Sequence, residues 1–174
     1  MYDDLMKLAE SIAKLDTGKP KQAHLRRAVS TAYYAVFHFL VDEVCCAQMG
    51  TQHAQRPYRQ TLSRAFAHAT MKSACSSFGG GTLKDSVIKG LPRNQNGNYV
   101  ISREIRDIAA TFAELQEKRH LADYDLAERF KRSEVLTLID QAKTYVEEFR
   151  NYPVGDDRKF FLACLWAFKD LTNR

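Results

Sequence analysis

The sequence predicts an all-α protein, an up-and-down helical bundle of about five to six helices. Three observations carry that expectation. Apolar residues recur at spacings of three and four along most of the chain, and strand-like alternation is nearly absent. The long interruptions are rich in Gly, Pro, Ser and Asn. At 174 residues, 45% hydrophobic and 27% charged, the chain is long enough to bury a core as one domain without disulfides or metal.

A first helix is expected from about Asp3 to Leu15, with Leu5, Leu8, Ala9 and Ile12 on one face and Asp3 or Asp4 as its cap. TGKPK (17–21) ends it, because Gly and Pro disfavour helix continuation. The second helix, about Gln22 to Cys46, has a wide apolar stripe running from Leu25 and Val29 to Val41 and Val44, so it must meet several neighbours. Its other face carries Arg26, Arg27, Ser30, Tyr34, His38 and Asp42. A third helix is expected from Pro57 to Cys75, with Tyr58, Leu62, Phe66 and Met71 inward. Residues 76–100 read as a long flexible loop. The fourth helix starts near Ser102, a plausible cap, and carries Ile105, Ile108, Ala109, Phe112 and Leu115. It leads into the octet RHLADYDL at 119–126, where five of eight side chains are polar or ionisable. A fifth helix spans Ser133 to Phe149, and NYPVGDD (151–157) breaks it. The organisation is thus a single domain over 1–174, with its core in 1–150 and an extra C-terminal helix over 156–174. That last helix is apolar enough to dock on the body or on a second subunit.

Lys and Arg outnumber Asp and Glu by 26 to 21, a formal charge of +5, which permits an anionic partner without demanding one. The chain opens MYDDLMKLAE, with neither a basic start nor an apolar run, and its apolar runs are too short to span a bilayer. A cytoplasmic protein with no membrane association is expected. Its four cysteines form no C-x-x-C pair, which suits reduced thiols. The five histidines pair with no other ligand at metal spacing, so no metal and no cofactor are expected. FGGGTLKDS lacks the spacing of a phosphate loop and follows a helix where such a loop follows a strand. Ser30 and Ser63 sit on helices with no adjacent base. Two basic clusters remain, Lys19, Lys21, Arg26 and Arg27 in one and Arg56, Arg59 and Arg64 in the other, with Tyr34 and Tyr58 nearby in sequence. Arg and Tyr together can hold phosphate and stack a base. A solvated helix face of snorkelling cations explains either cluster equally well.

LRRAVSTAYYAVFHFL (25–40), followed much later by RHLADYDL, resembles the HEPN family, the higher-eukaryote and prokaryote nucleotide-binding helical domains. The likeness rests on Arg26, Arg27, Ala28, Ser30, Ala32, Tyr33, Tyr34, Ala35, Phe37 and His38, then Arg119, Ala122, Asp123, Tyr124 and Asp125, and covers about 1–150. It implies an up-and-down bundle, often a homodimer, in toxin–antitoxin, nucleotidyltransferase-linked or defence systems. Many members of that family are metal-independent ribonucleases, with an Arg followed after four to six residues by a His. Arg119 matches that Arg, but Asp123 or Tyr124 stands where those members keep the His.

Arg119 and Asp123 are four apart, so on a continuing helix they share a face and can pair, and Asp125 with Glu128 resembles a capping box. In a homodimer, two copies of Arg119 and Tyr124 can face each other across an anion pocket. The expected ligand-binding set is Arg119, Asp123, Tyr124, Arg26, Arg27, Tyr34 and His38. The expected function is binding of RNA or a nucleotide, or of a nucleotidyltransferase-like or antitoxin partner, with weak or no catalysis. The alternatives are a ribonuclease using Arg119 with His120 or Tyr124, and a structural helical adaptor.

Overall fold

The computed structural model describes residues 1–80 and 83–173. Eight α-helices occur among them: α1 (Tyr2–Ala13), α2 (Gln22–Met49), α3 (Arg56–Leu62), α4 (His68–Gly80), α5 (Asp85–Ile88), α6 (Arg103–Tyr124), α7 (Arg132–Asn151) and α8 (Asp156–Thr172). The all-α reading holds. The count exceeds five to six because the expected third helix is split and the expected loop contains helix.

α2 is the axis of the bundle, about 42 Å long at 1.5 Å per residue. It packs against α1, α6, α7 and α8, so it has little solvent-facing surface along its middle. Every residue from Ala28 to Tyr33 is buried, including the polar Ser30 and Thr31. Thr31 resolves its burial locally, its hydroxyl donating to the Arg27 carbonyl at 2.7 Å. Gly50 ends α2 at φ +81°, a conformation that favours glycine, and its N–H donates to the Cys46 carbonyl.

α1 buries Tyr2, Met6, Ala9 and Ala13. Its core face is therefore rotated from the expected one, and Leu8 is 49% exposed. Met1 occupies the cap position, which puts Asp3 and Asp4 in the first turn, where they favour the helix through its dipole. The expected third helix breaks at Phe66, whose extended backbone separates α3 from α4. No Gly or Pro marks that break. No residue of α3 is buried, and Tyr58, expected inward, is 63% exposed. α4 runs on to Gly80, so Ser76 to Gly80 are helix and not loop. The following segment is partly anchored: Leu83, Val87 and Leu91 are buried, and the Arg93 guanidinium stacks on Tyr99 with its carbon 4.3 Å from the ring centre. The expectation of a loop also covers Gly81 and Thr82, which lie outside the described residues.

Ser102 caps α6 as expected, its hydroxyl accepting from the Ile105 N–H at 3.4 Å. α8 docks on the body: Phe161 lies between Phe78 and Phe149, with ring centres 5.1 and 6.0 Å away. Buried Arg158 meets Glu43 of α2 at 2.6 Å and lies over the Phe149 ring. No helix among the described residues is long and apolar enough to cross a membrane.

Of the glycines in FGGGT, Gly79 has a packing reason. A Cβ on Gly79 would lie 2.7 Å from the Ala110 backbone nitrogen on α6, whereas one on Gly80 meets nothing within 4 Å. Gly79→Ala should therefore cost about 1–3 kcal/mol by overpacking against a backbone that has little freedom to move. Gly80→Ala should be neutral or stabilising through helix propensity, by up to about 1 kcal/mol. Urea denaturation of both variants checks this, and equal stability of Gly79→Ala and the parent would disprove the close approach.

Candidate functional site

The polar face of α2 repeats every fourth residue, as Gln22, Arg26, Ser30, Tyr34 and His38. Four residues is close to one helical turn, so these side chains line up along the helix. Each of the first four touches the segment 119–130, and together they build the site.

Gln22 and Arg26 hold the backbone. The Gln22 amide donates to the Phe130 carbonyl at 2.8 Å and accepts from the Phe130 N–H at 2.9 Å. Arg26 Nη1 donates to the carbonyls of Leu121 and Ala122, at 3.3 and 2.8 Å. Its Nη2 donates to those of Asp125 and Glu128, at 2.8 and 2.7 Å. The first two carbonyls belong to the last turn of α6, where the dipole is negative; that of Leu121 also accepts from the Asp125 N–H at 3.0 Å, whereas no helical N–H follows for that of Ala122. Arg26 thus acts as a cap from another helix. Asp125 closes the next turn, its Oδ1 accepting from the N–H groups of Ala127 and Glu128 at 2.8 and 3.3 Å. The expected capping box does not start a helix there, since α7 begins only at Arg132.

Ser30 and Tyr34 hold the side chains. The buried Ser30 hydroxyl donates to Asp123 Oδ1 at 2.6 Å. Asp123 Oδ2 lies 2.6 Å from Arg119 Nε, as the spacing of four led one to expect, though without the alignment of a hydrogen bond. Arg119 Nη2 reaches the Tyr34 hydroxyl at 3.4 Å, and Nη1 has no hydrogen-bond partner among the described residues. The Arg119 guanidinium carbon lies 5.9, 5.8 and 5.6 Å from the ring centres of Tyr33, Tyr34 and Tyr124. Its side chain is 23% exposed and that of Asp123 29%, so the pair is reachable but largely surrounded. Burial works against the Arg119 charge, but the phenols and Asp123 outweigh it and hold its pKa above the ordinary value.

The structure adds a residue that the sequence did not single out. His68, the first residue of α4, shares a 2.5 Å hydrogen bond between its Nδ1 and the Tyr33 hydroxyl. Its ring lies 4.2 Å from that of Phe37 and 6.1 Å from that of Tyr34. Burial, then the Arg119 charge, then His38 lower its pKa, so it is neutral near pH 7. His38, with its ring 6.4 Å from that of Tyr34, is likewise lowered by burial. Burial raises the Tyr33 phenol well above its ordinary range, so it keeps its proton.

Arg119, Asp123, Tyr34 and Tyr124 therefore converge as expected, with His38 at one margin. Arg26 is engaged by carbonyls, and Arg27 points into solvent. His120 is exposed, its ring 5.0 Å from that of Tyr124. Ser30, without a partner in the linear sequence, gains Asp123 from 93 residues away. Among the described residues no group of His, Cys, Asp and Glu could hold a metal ion.

Fold and site together define a class: an all-α bundle presenting an arginine–carboxylate pair inside a shell of phenols and neutral histidines. No family model, no curated protein and no solved structure matches the chain.

Arg26 and Arg27 are neighbours with opposite situations, which makes them a sharp pair to test. Arg26→Ala should lose about 1.5–3 kcal/mol, the range for a hydrogen bond to a charged group. Arg27→Ala should change stability by no more than about 0.5 kcal/mol. Urea midpoints report both, and equal effects would refute the assigned role of Arg26.

Proposed function

We propose that this chain is a helical module that binds RNA or a nucleotide phosphate at Arg119. One observation carries the reading: a guanidinium with an unengaged Nη1, held among three phenol rings and open to solvent on one side. Such a group offers directional donors to a phosphate, and exposed Tyr124 offers a face for a base. Asp123 neutralises Arg119, so an anion gains from donor geometry more than from net charge. The resemblance of both segments to HEPN domains supports the same reading. So does the formal charge of +5. By that resemblance the module works as a homodimer in a toxin–antitoxin or defence setting, beside a nucleotidyltransferase-like or antitoxin partner.

The placement of His68 favours a second reading, a metal-independent ribonuclease. A neutral imidazole anchored through Nδ1, near a fixed arginine, has the requirements of a general base, with Arg119 stabilising charge on the phosphate. His68 then takes the part that the sequence assigned to His120 or Tyr124.

Arg119→Gln should weaken binding of a labelled single-stranded RNA by about tenfold or more, the loss of roughly one charge-assisted hydrogen bond. Fluorescence anisotropy measures it, and unchanged affinity would refute the site. If the parent binds no RNA at any concentration, the structural adaptor replaces both readings. Gel analysis of the same RNA, in the presence of a chelator, separates the two. Cleavage that His68→Ala abolishes establishes the ribonuclease, and intact RNA leaves the binding module.

Pairing of two copies across the Arg119 pocket would cover Tyr124 and Leu126, which are 64% and 85% exposed. Light scattering should report a dimer that Leu126→Glu converts to a monomer; a monomeric parent would remove the paired pocket.

A further inference from the structure

The polar stripe of α2 does not stop at the Arg119 cluster. Beyond Tyr34 it continues through His38 to Asp42, and these two residues line a separate cleft of about 570 Å³. α1, α2 and α3 form its walls, and Arg56, Arg59 and Arg150 enter it with the acids Asp3, Asp42 and Glu43. His38 therefore borders both places, and Asp42 lies about 12 Å along the helix from Tyr34 at 1.5 Å per residue.

The charges of this cleft are unequally occupied. Asp3 meets Arg150 at 3.4 Å and Glu43 meets Arg158 at 2.6 Å, so those two carboxylates are neutralised. Arg59 Nη1 donates to the carbonyls of Gly50 and Gln52, at 2.6 and 3.1 Å, which fixes it while leaving Nε and Nη2 for another acceptor. Arg56 has no hydrogen bond or ion pair to a side chain among the described residues. Against these two cations only Asp42 lacks a counter-charge. α3, which carries both arginines, buries none of its residues, and Tyr58 between them is 63% exposed. A helix with no buried residue, whose two available guanidiniums both line the cleft, has the makings of a ligand wall.

We infer that the Arg56–Arg59 cleft is a second phosphate subsite, joined to the Arg119 cluster along Tyr34 and His38. The inference rests on the proposed RNA-binding reading and sharpens it. The ligand is a single-stranded oligonucleotide whose successive phosphates occupy both places, and a mononucleotide fills only the Arg119 end. Asp42 opposes the ligand and limits its affinity.

Anisotropy with oligouridylates of increasing length, alongside displacement by uridine monophosphate, tests this with the full chain. Affinity should rise with length until the oligonucleotide spans both places. Arg56→Ala should weaken the longer oligonucleotides about tenfold, lower the slope of log affinity against log salt by about one, and leave the mononucleotide unchanged. Asp42→Asn should tighten the longer ones. Because Arg56 is exposed and unpaired, these variants should fold like the parent, which thermal unfolding verifies. If Arg119→Gln weakens long RNA while Arg56→Ala and Asp42→Asn do not change it, the second subsite is wrong and the primary site stands. If Arg56→Ala weakens it while Arg119→Gln does not, the joined path is wrong. If neither arginine matters, the RNA reading itself fails and takes this inference with it. Displacement of the RNA by an acidic peptide as effectively as by unlabelled RNA would also overturn the inference, since the cleft would then read charge alone.

Discussion

The last turn of α6 is held from α2, and the rest of the site depends on how its carbonyls are satisfied. A helix that stops at a surface leaves its terminal carbonyls to water. Here Leu121, Ala122, Asp125 and Glu128 direct theirs to one guanidinium, that of Arg26. An unsatisfied buried acceptor costs about 1–3 kcal/mol, so losing the contact to the carbonyl of buried Ala122 would weigh on the end of α6. Arg26 belongs to α2, the most deeply buried helix, and Gln22 one turn earlier fixes Phe130 in the same way. The position of the octet relative to α2 is thus set by backbone hydrogen bonds, before any of its own side chains is considered.

With the backbone held, the side chains have few choices. Asp123 falls within reach of Ser30, and Arg119 one turn earlier falls within reach of Asp123. The phenols follow from the same helix register, since Tyr33 faces the core and Tyr34 the polar stripe. Tyr33 then links the cluster to α4 through His68, so three helices that are distant in sequence meet at one guanidinium. Partial burial of the rings, with the Arg119 charge beside His68, lowers the pKa of both His68 and His38. The cluster consequently carries one cation and one anion, and its chemistry lies in orientation.

Helices α2, α6 and α7 were legible in the sequence because their apolar spacing is long and unbroken. The Arg119–Asp123 pair was legible because it is local, two residues one turn apart. The break between α3 and α4 was not legible: it falls at Phe66 without Gly or Pro, and periodicity alone carries straight through it. FGGGT looked like a loop because glycine is a poor helix former. Its actual constraint is the approach of the α6 backbone at Gly79, which no local pattern reveals. Ser30 and His68 were missed for the same reason. Their partners Asp123 and Tyr33 lie 93 and 35 residues away, and only tertiary packing brings them together. Arg26 looked like a ligand-binding cation because a basic residue on a polar face gives no sign of which acceptors it meets.

Asp123 has two roles that pull in opposite directions. Through Ser30 and Arg119 it fixes the guanidinium, and an unfixed arginine would lose side-chain entropy on meeting a ligand. The same carboxylate competes with any phosphate for that guanidinium. The geometry limits the competition: Asp123 lies against Nε, while Nη1 is unengaged and Nη2 makes only a long contact with Tyr34. A phosphate can therefore approach the Nη edge without displacing Asp123, provided its second negative charge is met elsewhere. Neutral His68 meets that condition only as the tautomer that donates a hydrogen bond from Nε2 while its Nδ1 accepts from the Tyr33 hydroxyl. The other tautomer donates from Nδ1 to Tyr33 and leaves Nε2 free to take a proton, so holding a phosphate and acting as a base are two uses of one arrangement that the tautomer of His68 separates.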